Sequence, residues 1–180
     1  MSRWEPNARG RLEQAALELY SECGFEQTTV AEIAKRARLT ERTFFRYYAD
    51  KREILFAGAA ALEDLLVSTV TDAPNDLAPI DAAATGLEAA GALIQERQEF
   101  SRQRQTIIAA NAELQERELI KLASLSAALA DTLHRRGVRD PTARLTAEVA
   151  IAVFKITFER WIDETTTKSL RNSSESRSTS

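Results

Sequence analysis

An all-α fold is what this chain predicts, and three observations carry the prediction. Only six of 180 residues are glycine and four are proline, and the β-branched runs that form strands are missing. Alanine, leucine, glutamate and arginine, all good helix formers, dominate. Apolar residues return every three or four positions along most of the chain. With 44% hydrophobic residues the chain can bury a real core in one or two small domains. The expected order is a helix-turn-helix three-helix domain over residues 1–50, a second helical domain over 51–164, and a disordered tail over 165–180.

The first strong local signal is Thr29 followed by Glu32. This is a capping box, in which each side chain satisfies a backbone donor at a helix start. A helix therefore begins near Val30, with Val30, Ile33, Ala34 and Ala37 on its apolar face and Glu32, Lys35 and Arg36 outward. It can be only seven or eight residues long. After Arg38 and Leu39, Thr40 caps a second short helix. Phe44 and Tyr48 fall on one face of it, and Arg42, Thr43, Phe45, Arg46 and Tyr47 on the rest. Two short helices across so tight a turn have the spacing of a DNA-binding helix-turn-helix.

The segment TTVAEIAKRARLTERTFFRYYADK resembles the TetR family of one-component transcriptional regulators, with TFFRYYADK similar to that family's recognition helix and the lysine after it. Upstream, the stripe Leu12, Ala16, Leu19, Cys23 followed by Gly24 and Phe25 resembles the family's first helix and its glycine cap. The resemblance covers about the first third of the chain. It implies a recognition helix from Thr40 to Tyr48 in the major groove, with Arg42, Thr43 and Phe45 near base edges. It also implies phosphate contacts from Thr29, Tyr47 and Lys51, with Glu41 and Arg46 at the margin. Where the family usually has glycine at the inter-helix turn, this chain has Arg38. That residue is either a tolerated turn variant or an extra phosphate contact, since a guanidinium suits phosphate.

Charge agrees with a DNA-facing segment. Between Lys35 and Arg52 seven basic residues (Lys35, Arg36, Arg38, Arg42, Arg46, Lys51, Arg52) face Glu41 and Asp50, a balance of +5. The whole chain carries −3, which leaves −8 elsewhere. A positive face on an acidic body suits a protein that binds phosphates at one surface only.

Further along, Asp50 is placed to cap a helix running from Lys51 to about Thr71, and Asp72 to Pro79 reads as a loop. Helices then occupy Asp81–Glu96, which contains Gly86 and Gly91, and Arg97–Ala110. Asn111 caps the next, which runs to Arg136 and stops at Gly137, and Pro141–Asp163 forms the last. The final two are apolar around more of their circumference than one core face needs. They either bury each other or pair with a second copy in a four-helix bundle, and the family resemblance implies a dimer through them. From Thr165 on, ten of sixteen residues are Ser or Thr, the composition of a disordered tail.

Catalytic and metal-binding signatures are poor. The one histidine, His134, sits near a helix end, and the single Cys23 lies on an apolar stripe as a core residue. No glycine-rich phosphate loop or nucleophile elbow stands out. No enzyme, metal or cofactor is expected. No apolar run is expected to reach the roughly 20 residues that span a bilayer, so the expected location is cytoplasmic. Gly91, Phe100, Arg102, Arg104, Ile107, Phe154, Phe158 and Trp161 are candidates to line an effector pocket, although the charged residues also read as a solvated face and the aromatics as packing.

The resulting expectation is a homodimeric, sequence-specific regulator. It would repress from a roughly palindromic double-stranded operator and be released by a small, largely apolar effector of unknown identity. The alternatives are a ligand-independent DNA-binding regulator and a helical partner-binding protein that recognises no operator.

Overall fold

The computed structural model describes residues 7–177, with side chains as far as Glu164. Among these residues eight α-helices and one 3₁₀ turn succeed one another with no strand. They divide into two compact units. The first contains the chain up to Ala60 together with Gln103–Glu118, and the second contains Ala61–Arg102 with the chain from Leu119 onward. The boundary expected at residue 50 thus moves to Ala60, and a later stretch joins the first unit.

In the first unit, α1 (Ala8–Cys23) buries Leu12, Ala16 and Leu19 as its periodicity requires, and also Leu17 and Tyr20. Gly24, at φ 87°, ends it. Cys23 is exposed, contrary to the core position expected of it. It shares the angular position of Leu12 and Leu19, but in the last turn no other element covers that arc.

The capping box forms as expected. The Glu32 N–H donates to Thr29 Oγ1 at 3.2 Å and the Thr29 N–H to Glu32 Oε2 at 2.8 Å, opening α2 (Val30–Arg36). Thr40 accepts from the Thr43 N–H at 3.2 Å and opens α3 (Glu41–Tyr47). Phe44 is fully buried, and Tyr48 is buried beside it.

Between α2 and α3 the chain makes a Schellman turn, with Leu39 N–H on the Ala34 carbonyl at 2.8 Å and Arg38 N–H on the Lys35 carbonyl at 3.0 Å. Such a turn needs one left-handed residue, and Arg38 supplies it at φ 56°. A residue with a Cβ pays on the order of 1 kcal/mol for that conformation relative to glycine. Arg11 of α1 holds the turn from behind, donating to the Ala37 carbonyl at 2.5 Å and the Arg38 carbonyl at 3.4 Å.

Asp50 caps as expected, accepting from the N–H groups of Arg52 (2.8 Å) and Glu53 (3.2 Å). The chain then makes a short 3₁₀ turn, Glu53–Phe56, before α4 (Ala59–Asp72) begins. The continuous helix expected from Lys51 is therefore corrected to a broken one. Ile54, Leu55 and Phe56 of this turn are all buried, and Gly58 just after it weakens any case for staying helical. The expectation about apolar length also needs correction. Glu53–Asp72 is 20 residues long and holds an 18-residue window of mean hydropathy 1.6, enough by length and composition to cross a membrane. The break leaves α4 with 14 residues, and its Leu66 and Val70 sit at zero exposure in a protein core.

The end of α6 (Gln98–Ala109) and the start of α7 (Ala112–Arg135) complete the first unit. Ile107, Ile108 and Leu114 are buried. The side-chain amide of Asn111 donates back to the Ile107 carbonyl at 2.7 Å and closes α6, while its own carbonyl accepts from the N–H groups of Leu114 and Gln115, both at 3.1 Å, and opens α7. Arg104 donates to the Leu55 carbonyl at 2.6 Å and lies over the Phe56 ring at 5.0 Å. Arg117 pairs with Glu53, its Nε on Oε1 at 2.7 Å, and Arg52 pairs with Glu113 at 2.5 Å.

The second unit is held by Leu66 and Val70 of α4, Ala82 and Ala83 of α5 (Pro79–Glu96), Leu125, Leu129 and Leu133 of α7, and Ala143, Ala147, Ala150 and Ile151 of α8 (Asp140–Arg177). In this core α5 and α8 contribute mostly small residues and α4 and α7 large ones. Gly86 shows how tight this is: a Cβ there would lie 2.7 Å from both Leu66 Cδ1 and Val70 Cγ2. Arg136 closes the C-terminus of α4, donating to the carbonyls of Val70 (3.0 Å), Ala73 (2.7 Å) and Pro74 (2.7 Å). Gly137, at φ 91°, ends α7 at the expected stop.

Two departures concern α8. It continues past Asp163 to Arg177, so the disordered tail expected from residue 165 is helical backbone as far as that residue, and the last three residues lie outside those described. No proline or glycine comes after Pro141 to stop it, and Ser and Thr cost only tenths of a kcal/mol per position. Earlier in α8, Leu145, Val149, Val153 and Ile156 lie in one row and are 68%, 53%, 53% and 57% exposed.

Candidate nucleic-acid interface

The chemistry of the α2–α3 pair is decided by which of its cations are already engaged. Arg36 is paired with Glu22 at 2.8 Å and Glu18 at 3.3 Å, and these hydrogen bonds raise its pKa further. Arg52 is held by Asp50 and Glu113, and its hydrogen bond keeps the Asp50 carboxyl below the usual range.

Lys51 is engaged within the fold. Its Nζ donates to the carbonyls of Phe25 (2.8 Å), Thr28 (3.0 Å) and Glu26 (3.3 Å) and lies 4.4 Å from the centre of the Phe25 ring. An ammonium has three donors, and all three are used. The resemblance casts Lys51 as a phosphate contact, but in this structure it clamps the α1–α2 loop. The Tyr20 hydroxyl fastens the same residue by donating to the Lys51 carbonyl at 2.6 Å, and burial pushes the Tyr20 pKa up.

Lys35, Arg38, Arg42 and Arg46 are left. All four are exposed, and no ion pair or hydrogen bond engages their side chains among the described residues. Arg42 and Arg46 are four residues apart on α3, hence on one side of it. Between them stands Phe45, 54% exposed, with Tyr47 at 40%. Aromatic rings that exposed have not been recruited to the core, unlike their neighbours Phe44 and Tyr48.

Of the remaining expected contacts, Glu41 is exposed on the first turn of α3. The Thr40 and Thr43 hydroxyls lie 3.0 Å apart and serve the cap. The Thr29 hydroxyl donates to Glu32 at 2.9 Å, and the Thr29 N–H holds the Glu32 pKa low. Behind α3, Tyr48 donates to Glu13 at 3.1 Å and accepts from Arg9 at 3.4 Å. Burial raises its pKa to about 12, with the Arg9 hydrogen bond opposing. Sequence reading misses Glu13, Arg11 and Tyr20, because a polar residue on an amphipathic helix carries no mark of a partner some 30 positions away.

The eight candidate pocket residues are divided between the two units. Arg104 and Ile107 belong to the first unit, and the other six to the second. Arg104 is a buried strut whose charge is disfavoured by burial and supported by Glu118 at 3.3 Å. Gly91 is exposed, and a Cβ on it would meet nothing within 4 Å. Phe100, Arg102, Phe154, Phe158 and Trp161 are half-buried. Phe100 stacks on Arg97 at 4.1 Å, and the Phe158 and Trp161 rings are 5.8 Å apart.

Two short capped helices across a tight turn, with an exposed Arg/Phe/Arg/Tyr surface on the second and a further helical unit in the same chain, define a helix-turn-helix regulator. Residues 13–57 match the bacterial regulatory proteins of the tetR family, and residues 77–175 match the MftR C-terminal domain. The chain belongs to the TetR family of transcriptional regulators. It is 34% identical over 74 residues to the HTH-type transcriptional regulator TcmR of Streptomyces glaucescens, an alignment covering 41% of this chain and a third (33%) of that protein. Its fold is similar to that of SmeT in a triclosan complex (TM-score 0.63, 18% identity, 89% of this chain and 82% of that one). It is also similar to the regulator FadR of Bacillus subtilis in complex with stearoyl-CoA (TM-score 0.59, 18% identity, 87% and 88% covered).

Proposed function

We propose that the protein acts in the cytoplasm as a homodimeric repressor on a roughly palindromic operator. In each copy α3 lies in the major groove, with Arg42, Thr43 and Phe45 toward base edges, and Tyr47, Arg46, Thr29, Thr40 and Glu41 around them toward the backbone. The observation that carries this reading is the unengaged cationic and aromatic surface of α3. Arginine in bidentate contact with a guanine edge, and an aromatic ring against a thymine methyl, are ordinary modes of major-groove reading. Lys51 is left out of the contact set because its donors are spent within the fold.

Dimerisation is supported by the exposed row Leu145, Val149, Val153 and Ile156 on α8, with Leu119 and Ile120 of α7 also more than half exposed. A contiguous apolar face of this kind marks an association surface. A second copy on a two-fold axis would cover it with the same residues and set the spacing of two half-sites.

Release is assigned to a small, largely apolar effector bound in the second unit. The match to the MftR C-terminal domain, and the triclosan ring system and stearoyl chain of the ligands in the SmeT and FadR complexes, support that choice. Phe100, Phe154, Phe158 and Trp161 are its candidate walls, with Arg102 for an anionic end. The effector acts only so far as it prefers the conformation that cannot bind DNA. Footprinting on duplexes selected from a random library, with subsequent titration of the complex with fatty acids, acyl thioesters and chlorinated phenols, tests the whole reading. A protected palindrome that one ligand class releases supports it. A protected palindrome indifferent to all of them leaves a ligand-independent regulator, and no selected duplex at all leaves a helical partner-binding protein.

A further inference from the structure

We infer that Arg38, the left-handed residue of the inter-helix turn, is an additional DNA-phosphate contact of this chain. The inference rests on the DNA-binding reading above. Arg38 adopts φ 56°, one of two non-glycine residues with positive φ among those described. The other, Asn7, has an evident local reason, since its side chain accepts from the Gly10 N–H at 3.2 Å and caps α1. Arg38 has none. Its guanidinium is exposed and engages no acceptor among the described residues. The turn carbonyls are held by Arg11 from α1, not by Arg38. A glycine at that position would keep the Schellman hydrogen bonds without the strain, so nothing within the fold accounts for the side chain.

Position supplies a reason outside the fold. Arg38 lies two residues before Thr40, the cap of α3, and so on the side from which the recognition helix enters a groove. Its neighbours in charge, Lys35, Arg42 and Arg46, are also unengaged. Strain held at one residue without structural return is the kind of outlier that points to a role in binding. Of the groups a duplex offers at the lip of its groove, phosphate is the one a forked guanidinium matches. A contact to phosphate carries no sequence information: it strengthens every site alike and adds to the salt dependence.

The test compares full-length wild type, Arg38→Gly and Arg38→Lys on the duplex that the wild type selects in vitro, and on a scrambled duplex of the same composition, from about 50 to about 200 mM salt. Arg38→Gly should have a higher denaturation midpoint yet bind both duplexes roughly three- to tenfold more weakly per bound chain, with the salt slope shallower by about 0.9 per chain. Arg38→Lys should keep the slope, because a point charge still displaces a counterion. If Arg38→Gly matches the wild type in affinity and slope, the inference is overturned while the DNA-binding reading stands. If it loses affinity for the selected duplex alone, Arg38 reads bases and the phosphate assignment is overturned. Should the wild type select no duplex, both fall together.

Discussion

Arg42 lies on α3 and Lys51 four residues past its end, both basic, yet the structure predicts opposite outcomes for their removal. Arg42→Ala should leave the unfolding midpoint unchanged, cost roughly 1–3 kcal/mol of operator affinity and relax preference at one base pair per half-site, as measured by repeating the selection. Lys51→Ala should lower stability in urea by about 1–3 kcal/mol, since it orphans carbonyls of the α1–α2 loop. Periodicity and the family resemblance could locate Lys51 but not say what its donors do, because three backbone carbonyls more than 20 residues away leave no trace in a pattern of residue types. The same holds for Tyr48, legible as a core ring but not as the partner of Glu13 and Arg9. Its pKa of about 12 in the fold, set chiefly by burial, against the ordinary value of 10, fixes a sign. The folded state holds this proton more tightly, so its contribution is intact below pH 10 and is lost as pH rises toward 12. Thermal midpoints should therefore fall above pH 10, and Tyr48→Phe should make that fall shallower.

Among elements, the capped pair α2–α3 is wholly readable in the sequence, because its caps and turn are local chemistry. The boundary of α1, the loop before α5 and the stop at Gly137 are readable for the same reason. The break before α4 is not, since it answers to the burial of Ile54, Leu55 and Phe56 by residues distant in the chain. The two helical glycines of α5 look alike in the sequence and prove different. Gly86→Leu should destabilise the chain by about 1–3 kcal/mol through overpacking against Leu66 and Val70. Gly91→Ala should raise stability by roughly 0.5–1 kcal/mol, because it removes a helix-weakening glycine where there is open space. Urea unfolding of both variants checks the contrast, and equal effects would contradict the close approach of α4 and α5.

For the whole molecule, the exposed row on α8 makes a mass prediction. Wild type should scatter light as a dimer, and Val153→Glu as a folded monomer of the 20.0 kDa chain, since a charge buried in the dimer seam without a partner costs several kcal/mol. The monomer should keep its helicity but lose most of its operator affinity. That two helices carry more apolar surface than one core face needs is plain from the sequence. Which of their residues stay uncovered requires the packing, because Leu125 and Leu129 belong to the same stretch as Leu119 and are buried.

The ion pairs Arg52–Glu113 and Glu53–Arg117, with Arg104 on the Leu55 carbonyl, join positions 49 to 64 residues apart, which predicts a delayed completion of the first unit during synthesis. The helix-turn-helix is finished in sequence by Tyr48, but its unit is not complete until Glu118 has been synthesised. Closing so long a loop is slow compared with forming a helix. During synthesis the nascent three-helix segment should remain loosely held, open to proteases and to chaperones. A chain arrested at residue 60 should be cut readily, and one arrested beyond residue 118 should become resistant over the same N-terminal bonds. Operator binding would then be withheld from incomplete chains by the order of folding itself.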